Sequence, residues 1–456
     1  MMGERRVMQE ALFYGFSLER HVPGDHLLRK IDRFVDLSDL RTYLGPFYSD
    51  VGRPSIDPEL MMRMLIVGYC FGIRSERRLC DEVHSIWPTA GSAVLDSTAT
   101  CRIIRRFPRT VTVFRESDLL RKLFETVVAR CIKEKIVGGE AFGVDASMIM
   151  ADAYRRRGVA KVEDLDPASS RAVAEYLSVL DDAAFGAATP KAPTSISPTD
   201  PAARYTAASD TPAFFAYSDN YLVDLKNAVI MDVEATTAVR QAEVGAAKTM
   251  IDRTAEQFDL TPSRLVGDAG YGSAEMVAWF VDERQIEPHV KLMDKSERSD
   301  GTFSRSDFVY DAEANVYVCP GGKELKKYHR NFSTPRDGAT KSGTLLYFAR
   351  KHDCDACALK PKCCPNIPAR KVPRSIHEAA RDKARAIAKT EAYAVSRRER
   401  KKVEMLFAHL KRILGLGKLR LRGPSGAKDE FLLAATAQNL RKLAKLIPFP
   451  TPIFAT

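Results

Sequence analysis

The sequence has no apolar run long enough to cross a bilayer. Its longest, Met64 to Ile73, covers about half of the roughly 20 residues that a spanning helix needs. The first residues, MMGERRVMQEALFYGF, lack the apolar core and small-residue cleavage site of a signal peptide. A disulfide framework is missing too. Of nine cysteines, Cys70, Cys80, Cys101 and Cys131 are scattered and five cluster late, which fits a reducing compartment. These absences point to a cytoplasmic protein with no membrane span. Acid is also in short supply: 59 Asp and Glu stand against 70 Lys and Arg, a net charge of +11. That surplus favours an acidic partner, and nucleic acid is the expected one.

At 456 residues, with 45% hydrophobic and 28% charged, the chain should fold into two or three domains. No internal repeat is evident. Residues 1–132 read as short helices. Arg53-Pro-Ser-Ile-Asp-Pro looks like a helix entry, with Ser55 or Asp57 as N-cap and Pro58 in the first turn. A helix over Glu59 to Phe71, a break at Gly72 and a second helix over Glu76 to Val83 give a helix-turn-helix-like outline, which many helical bundles share. Residues 137–299 alternate strands and helices, with an Ala-, Pro-, Ser- and Thr-rich excursion over 155–216 whose part from Ala187 to Pro212 should lie on the surface. Short strands, turns and most of the cysteines fill 300–370. Residues 371–448 read as long helices, one of them running from Tyr393 to Leu414. The expected class is α/β, with an all-helical N-terminal domain ahead of a mixed sheet.

Three acids stand where chemistry could use them. Gly143-Val-Asp-Ala-Ser-Met-Ile is an apolar strand with Asp145 at its end, and Leu265-Val-Gly runs into a Gly-rich turn at Asp268. Glu404 lies in a basic helix, where Arg397, Arg400, Glu404 and Lys411 share one face by their spacing. Carboxylates gathered at one point need a cation, and hard oxygens suit Mg²⁺ or Mn²⁺. Each Asp taken singly is equally well a turn or cap residue, and the helix a solvated basic face. A second group, Cys319, Cys354-x2-Cys357 and Cys363-Cys364, is a candidate structural Zn²⁺ site to which His329 or His352 could contribute; the alternative is free cytosolic thiols. Arg374, the run from Arg397 to Lys402, Arg412, Lys418, Arg420 and Arg422 are candidates for contacts to a phosphate backbone.

The segments GRPSIDPELMMRMLIVGYCFGIRSERRLCDEVH, FGVDASMI, VGDAGYG, DKSERSDGTFSRSDFVYD and VEMLFAHLKRILGLGKLRLRG together resemble the DDE transposases of bacterial insertion sequences over nearly the whole chain. The resemblance implies an RNase H-like core with an inserted Cys-containing subdomain and a metal-binding triad of Asp145, Asp268 and Glu404. It implies DNA as partner, both terminal inverted repeats and target, and a homodimer when two ends are brought together. Relatives carry a Tyr-x2-Arg-x3-Glu-x6-Lys signature; here Arg400, Glu404 and Lys411 match it, and Arg397 replaces the tyrosine. Two other readings remain at this stage: a metal-dependent nuclease without strand joining, and a defective transposase that binds element DNA without catalysis.

One stretch breaks the pattern. Ser85 to Val113 has neither helical nor strand period, and an unstructured run of that length is unusual inside a compact domain. Similar transposases here carry a segment containing VPDHSTFSKNRH. Plausible codons for Thr100 to Thr112, with the frame moved back by one base, spell that segment, so we expect two compensating frameshifts, near His84/Ser85 and near Val113/Phe114. Resequencing the gene tests this: read from the third base of the Thr100 codon, the codons of Thr100 to Thr112 should give VPDHSTFSKNRH, and any other reading in that frame ends the idea.

Overall fold

The computed structural model describes residues 23, 25–52, 55–86, 112–154, 161–185, 193, 195–207, 212–293, 298–327, 338–340 and 343–448. The stretch suspected of a frame change therefore lies almost wholly outside the described residues. The chain divides into two compact units, Met1–Pro262 with Glu399–Thr456, and Ser263–Arg398. Both mix helix and sheet, in line with the α/β expectation.

In the larger unit, α1 (Pro58–Phe71) starts as the sequence implies. Pro58 needs no N–H partner in the first turn, and Asp57 Oδ1 accepts from Glu59 N at 3.1 Å and from Arg41 Nη1 at 2.8 Å. It ends at Gly72, whose φ of 68° suits glycine. A side chain there would also meet Ile413 O at 2.6 Å. After this turn comes α2 (Glu76–Ile86), and later α3 (Leu119–Lys133). The helices surround an apolar core of Met61, Met62, Leu65, Phe124 and Val128, all buried.

β1 (Ala141–Met150) opens the sheet. After α4 (Arg171–Ser178) and β2 (Arg204–Thr206) come the long hairpin strands β3 (Phe214–Asp224) and β4 (Val229–Thr237), then α5 (Arg240–Phe258). β1 runs antiparallel to one edge of β3, while β4 and the short β2 share its other edge. The excursion expected over Ala187 to Pro212 is not all surface: Ile196, Ser197, Asp200, Ala202 and Ala203 are buried. The polar ones are satisfied, since Tyr217 Oη donates to Asp200 and Gly423 N reaches its second oxygen at 3.2 Å. Small residues permit that close packing, which composition alone could not show.

The smaller unit starts with the parallel pair β5 (Arg264–Gly267) and β6 (Glu287–Val290). A five-stranded antiparallel sheet follows, β7 (Val309–Asp311), β8 (Val316–Val318), β9 (Glu324–Lys327), β10 (Thr344–Phe348) and β11 (Lys371–Ser375), in the order 11-10-9-8-7. This sheet runs to Ser375, past the expected boundary at 370, because β11 pairs with β10 along its length. On α6 (Glu378–Ile387), the buried Glu378 carboxylate meets Arg305, Arg381 and Arg385.

The expected helix over Tyr393 to Leu414 is two helices, α7 (Glu391–Glu399) and α8 (Lys401–Arg412), and the unit boundary falls near the break. Helical periodicity therefore relates Arg400, Glu404 and Lys411 but not Arg397, which lies on α7. In the larger unit, α9 (Gly423–Leu446) is buried along most of its length. Its Asn439 side chain both accepts from Ile230 N at 2.9 Å and donates to Ile230 O at 2.8 Å. This satisfies β4 where its register with β3 shifts.

A buried charge cluster ties α3 to the sheet. Arg121 Nη1 is 2.6 Å from Asp232 Oδ1, and Arg253 Nε is 2.7 Å from its Oδ2. Removing one partner of a buried pair strands the others, at a cost of about 3 kcal/mol. We expect Arg121→Ala to lower unfolding stability by about that much in a denaturant titration, and Arg298→Ala, at an exposed pair, to change it by less than about 0.5 kcal/mol.

Candidate active site

β1 places Asp145 mid-strand, because the strand continues to Met150 instead of ending at the acid. Asp145 pairs with Tyr221 of β3, and Ser147 pairs with Asp219, so side chains at these four positions point to one face of the sheet. That face carries α8. Tyr221 stacks on Phe407 with ring centroids 4.7 Å apart and donates to Gln438 Oε1 at 3.1 Å; Gln438 Nε2 in turn donates to Leu406 O at 2.8 Å. Gly143 allows the approach. A Cβ at this position would lie 2.7 Å from Val403 Cγ2 and 2.9 Å from Leu225 Cδ2.

Docking α8 here brings Asp145 and Glu404 to one cation. Arg400 Nη2 is 3.8 Å from Asp145 Oδ2 and 3.4 Å from Glu404 Oε1. Asp145 Oδ1 also accepts from Ala146 N at 2.9 Å. Arg400 Nε is buried without a partner and remains an uncommitted donor. Two hard carboxylates facing one positive charge are a donor set that suits a divalent ion. Among the described residues, however, no three His, Cys, Asp or Glu groups are arranged to hold a metal as they stand.

Asp268 lies in the smaller unit, at the end of β5. Its Oδ1 accepts from Gly270 N at 2.7 Å and caps the turn Ala269–Tyr271. Gly272 of this Gly-rich turn is packed against the chain itself. A Cβ there would sit 2.1 Å from Lys291 O, so the close approach is made by the chain's own backbone.

The basic candidates divide by occupation. Lys418 Nζ and Arg422 Nη2 both lie 2.9 Å from Asp152, while Arg420 Nη1 donates to Arg74 O. These three help hold the chain after α8, where Leu419 N bonds Met150 O at 2.7 Å. Arg397 and Arg412 are exposed. Lys411 reaches the surface, but burial of part of its length pulls its pKa below the usual lysine range while Asp219 pushes the other way. Sequence reasoning missed Asp219. It is fully buried, and burial pushes its pKa well above the usual range while the neighbouring Tyr221 hydroxyl and Lys411 pull the other way. The available signal was an acid in the middle of a strand otherwise destined for the core. Asp152 was missed as well.

Two comparisons bear on this arrangement. Residues 16–87 match the Transposase domain (DUF772), and residues 318–444 match the Transposase DDE domain. The second match contains Arg400, Glu404 and Lys411; Asp145 and Asp268 fall outside both. No curated protein matches the chain in sequence. The chain thus carries two transposase domains. Both matches support an insertion-sequence DDE transposase.

If the seat of α8 on β1 depends on Gly143, then Gly143→Ala should destabilise the protein by about 1–3 kcal/mol through overpacking. Adding Val403→Ala should recover most of that loss in the same denaturant titration. Failure of the second change to compensate would show that the two residues are not in contact.

Proposed function

We propose that this chain is a metal-dependent DNA transposase that cuts the ends of its element and joins them to target DNA. The observation that carries the proposal is the shared engagement of Asp145 and Glu404 with Arg400 on one sheet face, inside a chain with two transposase-domain matches. In this reading the core is RNase H-like, and Asp145, Asp268 and Glu404 hold Mg²⁺ or Mn²⁺. Bound ions of this kind supply an activated water or 3′-hydroxyl and stabilise the leaving oxygen in an in-line displacement at phosphorus.

The protein's own groups bind and orient the DNA. Arg400 offsets part of the charge of the two carboxylates. With an ion held by the acids, the Arg400 guanidinium would be free to grip a phosphate in a two-pronged contact. Lys411 sits seven residues beyond Glu404, two turns along the same face, and its ammonium supports the next phosphate. Arg397 and Arg412, both exposed, add affinity without reading sequence. Recognition of the terminal repeats is assigned to the helices around α1 and α2. No described helix is long and apolar enough to cross a membrane. Two ends to be joined imply two copies of the chain.

The first transposase match ends at residue 87, two residues into the stretch whose codons are in question. That favours a second reading, in which the centre is intact but delivery of DNA is impaired. Cleavage, joining and binding assays on a terminal-repeat substrate separate the cases. Asp145→Asn, Asp268→Asn and Glu404→Gln should each reduce Mg²⁺-dependent cleavage by more than about 100-fold while leaving gel-shift binding intact. Full cleavage by any one of them removes that residue from the triad. Binding without cleavage by the unaltered chain would support the defective-copy reading, and cleavage without 3′-end joining would support a nuclease.

A further inference from the structure

The five cysteines of the smaller unit have no part in phosphoryl transfer, yet they converge. Cys319 follows β8, Cys354 lies on the short helix Lys351–Asp355, and Cys357 comes two residues after that helix. Cys363 ends the helix Lys360–Cys363, and Cys364 follows it. All five line one cavity of about 30 Å³. Each is a free thiol. Lys323 N donates to Cys319 Sγ at 3.3 Å. The turn is closed by Gly322 N to Cys319 O at 2.8 Å. A side chain at Gly321 would lie 3.5 Å from Cys357 Sγ and 3.6 Å from Cys319 Sγ, so both sulfurs border that glycine. Cys354 and Cys363 each lie against Cys364. Burial first, and then the neighbouring thiols, push Cys354 up and Cys363 up to about 11.

The surrounding sheet has little else to hold it together. Its core consists of Phe308, Tyr317, Leu325, Tyr347 and Val372, and the remaining buried members are Cys354, Cys363 and Cys364 themselves. Cores this small usually need a disulfide or a metal as a staple.

We propose that Cys319, Cys354, Cys357 and Cys364 bind a structural Zn²⁺ that pins the turn after β8 to the two short helices. Thiolate ligands, one C-x2-C pair and two further sulfurs from elsewhere in the chain are the usual make-up of a closed tetrahedral zinc site. Sulfurs about 2.3 Å from a tetrahedral ion are about 3.8 Å apart. Among the described residues no three groups are yet arranged to hold a metal, so binding draws the two sides of the cavity together. Four Zn–S bonds form as four thiol protons pass to solvent, leaving a net charge of minus two on the site. Arg370, which lines the same cavity, answers that charge; it donates to Cys363 O at 2.8 Å and to Phe303 O at 2.7 Å. Cys354 has Cys364 and Cys319 as its thiol neighbours, so Cys364 completes the set and Cys363 stays outside it. His329 lies outside the described residues and is not needed. This site goes beyond the transposase reading, and its tests do not use DNA.

The full chain, purified without chelator, should contain one zinc per chain by elemental mass spectrometry. Replacing zinc with Co²⁺ should give the strong thiolate-to-cobalt charge-transfer absorption of a sulfur-rich tetrahedral site, a readout that needs no variant. Cys319→Ser, Cys357→Ser and Cys364→Ser should each lose the metal, and Cys363→Ser should keep it. Chelation of the unaltered protein should speed protease cutting within residues 300–375. A chain that neither carries zinc nor takes up cobalt with a charge-transfer band overturns the site, as does full metal retention in both Cys319→Ser and Cys357→Ser. Loss in Cys363→Ser with retention in Cys364→Ser overturns the assignment of the fourth ligand.

Discussion

The close seating of α8 on β1 is the contact on which the geometry of the candidate site in the larger unit depends. It requires a missing side chain at Gly143, a stacked pair in Tyr221 and Phe407, and Gln438 bridging Tyr221 to the backbone of α8. With the helix held there, Arg400 touches both Asp145 and Glu404. Mutual repulsion of two acids is thereby suspended by a cation that can be exchanged.

The same unit shows how a basic chain distributes its charge. Lys418, Arg420 and Arg422 lie in the stretch that seemed readiest for DNA, yet each has a partner within the fold. Arg121 and Arg253 are spent on the buried Asp232. Of the basic candidates in this stretch, Arg397, Arg400, Lys411 and Arg412 are left for a polyanion. Net charge is thus a fair guide to partner class and a poor guide to which residues meet the partner. The smaller unit follows a different economy: its five-stranded sheet has few apolar groups to bury, and its cysteines gather where more of them would be needed.

Much of this was legible in the chain. Asp57 and Pro58 fix the start of α1, and Gly72 fixes its end, because capping and left-handed backbone are local requirements. The apolar alternation around Asp145 gave a strand, and the i,i+4 spacing of Arg400 and Glu404 gave their ion pair. Other features were not legible. The break between α7 and α8 leaves no proline or glycine in the sequence, so Arg397 looked like part of the same face. The burial of Ile196 to Ala203 depends on partners such as Tyr217 and Gly423, distant in the chain.

The sequence by itself determined the class of residue available: hard acids in apolar strands, cations at helical spacing and thiols in a C-x2-C pair. These follow from local chemistry and from the order of residues. Tertiary structure decided which of them meet. It set Asp145 in mid-strand against α8, gave Lys418 and Arg422 to Asp152, and buried Asp219 beside the candidate centre. It also drew five cysteines from three pieces of chain around one small cavity. Pairing across a sheet and packing of a helix onto it join residues dozens to hundreds of positions apart, and no local pattern encodes that proximity.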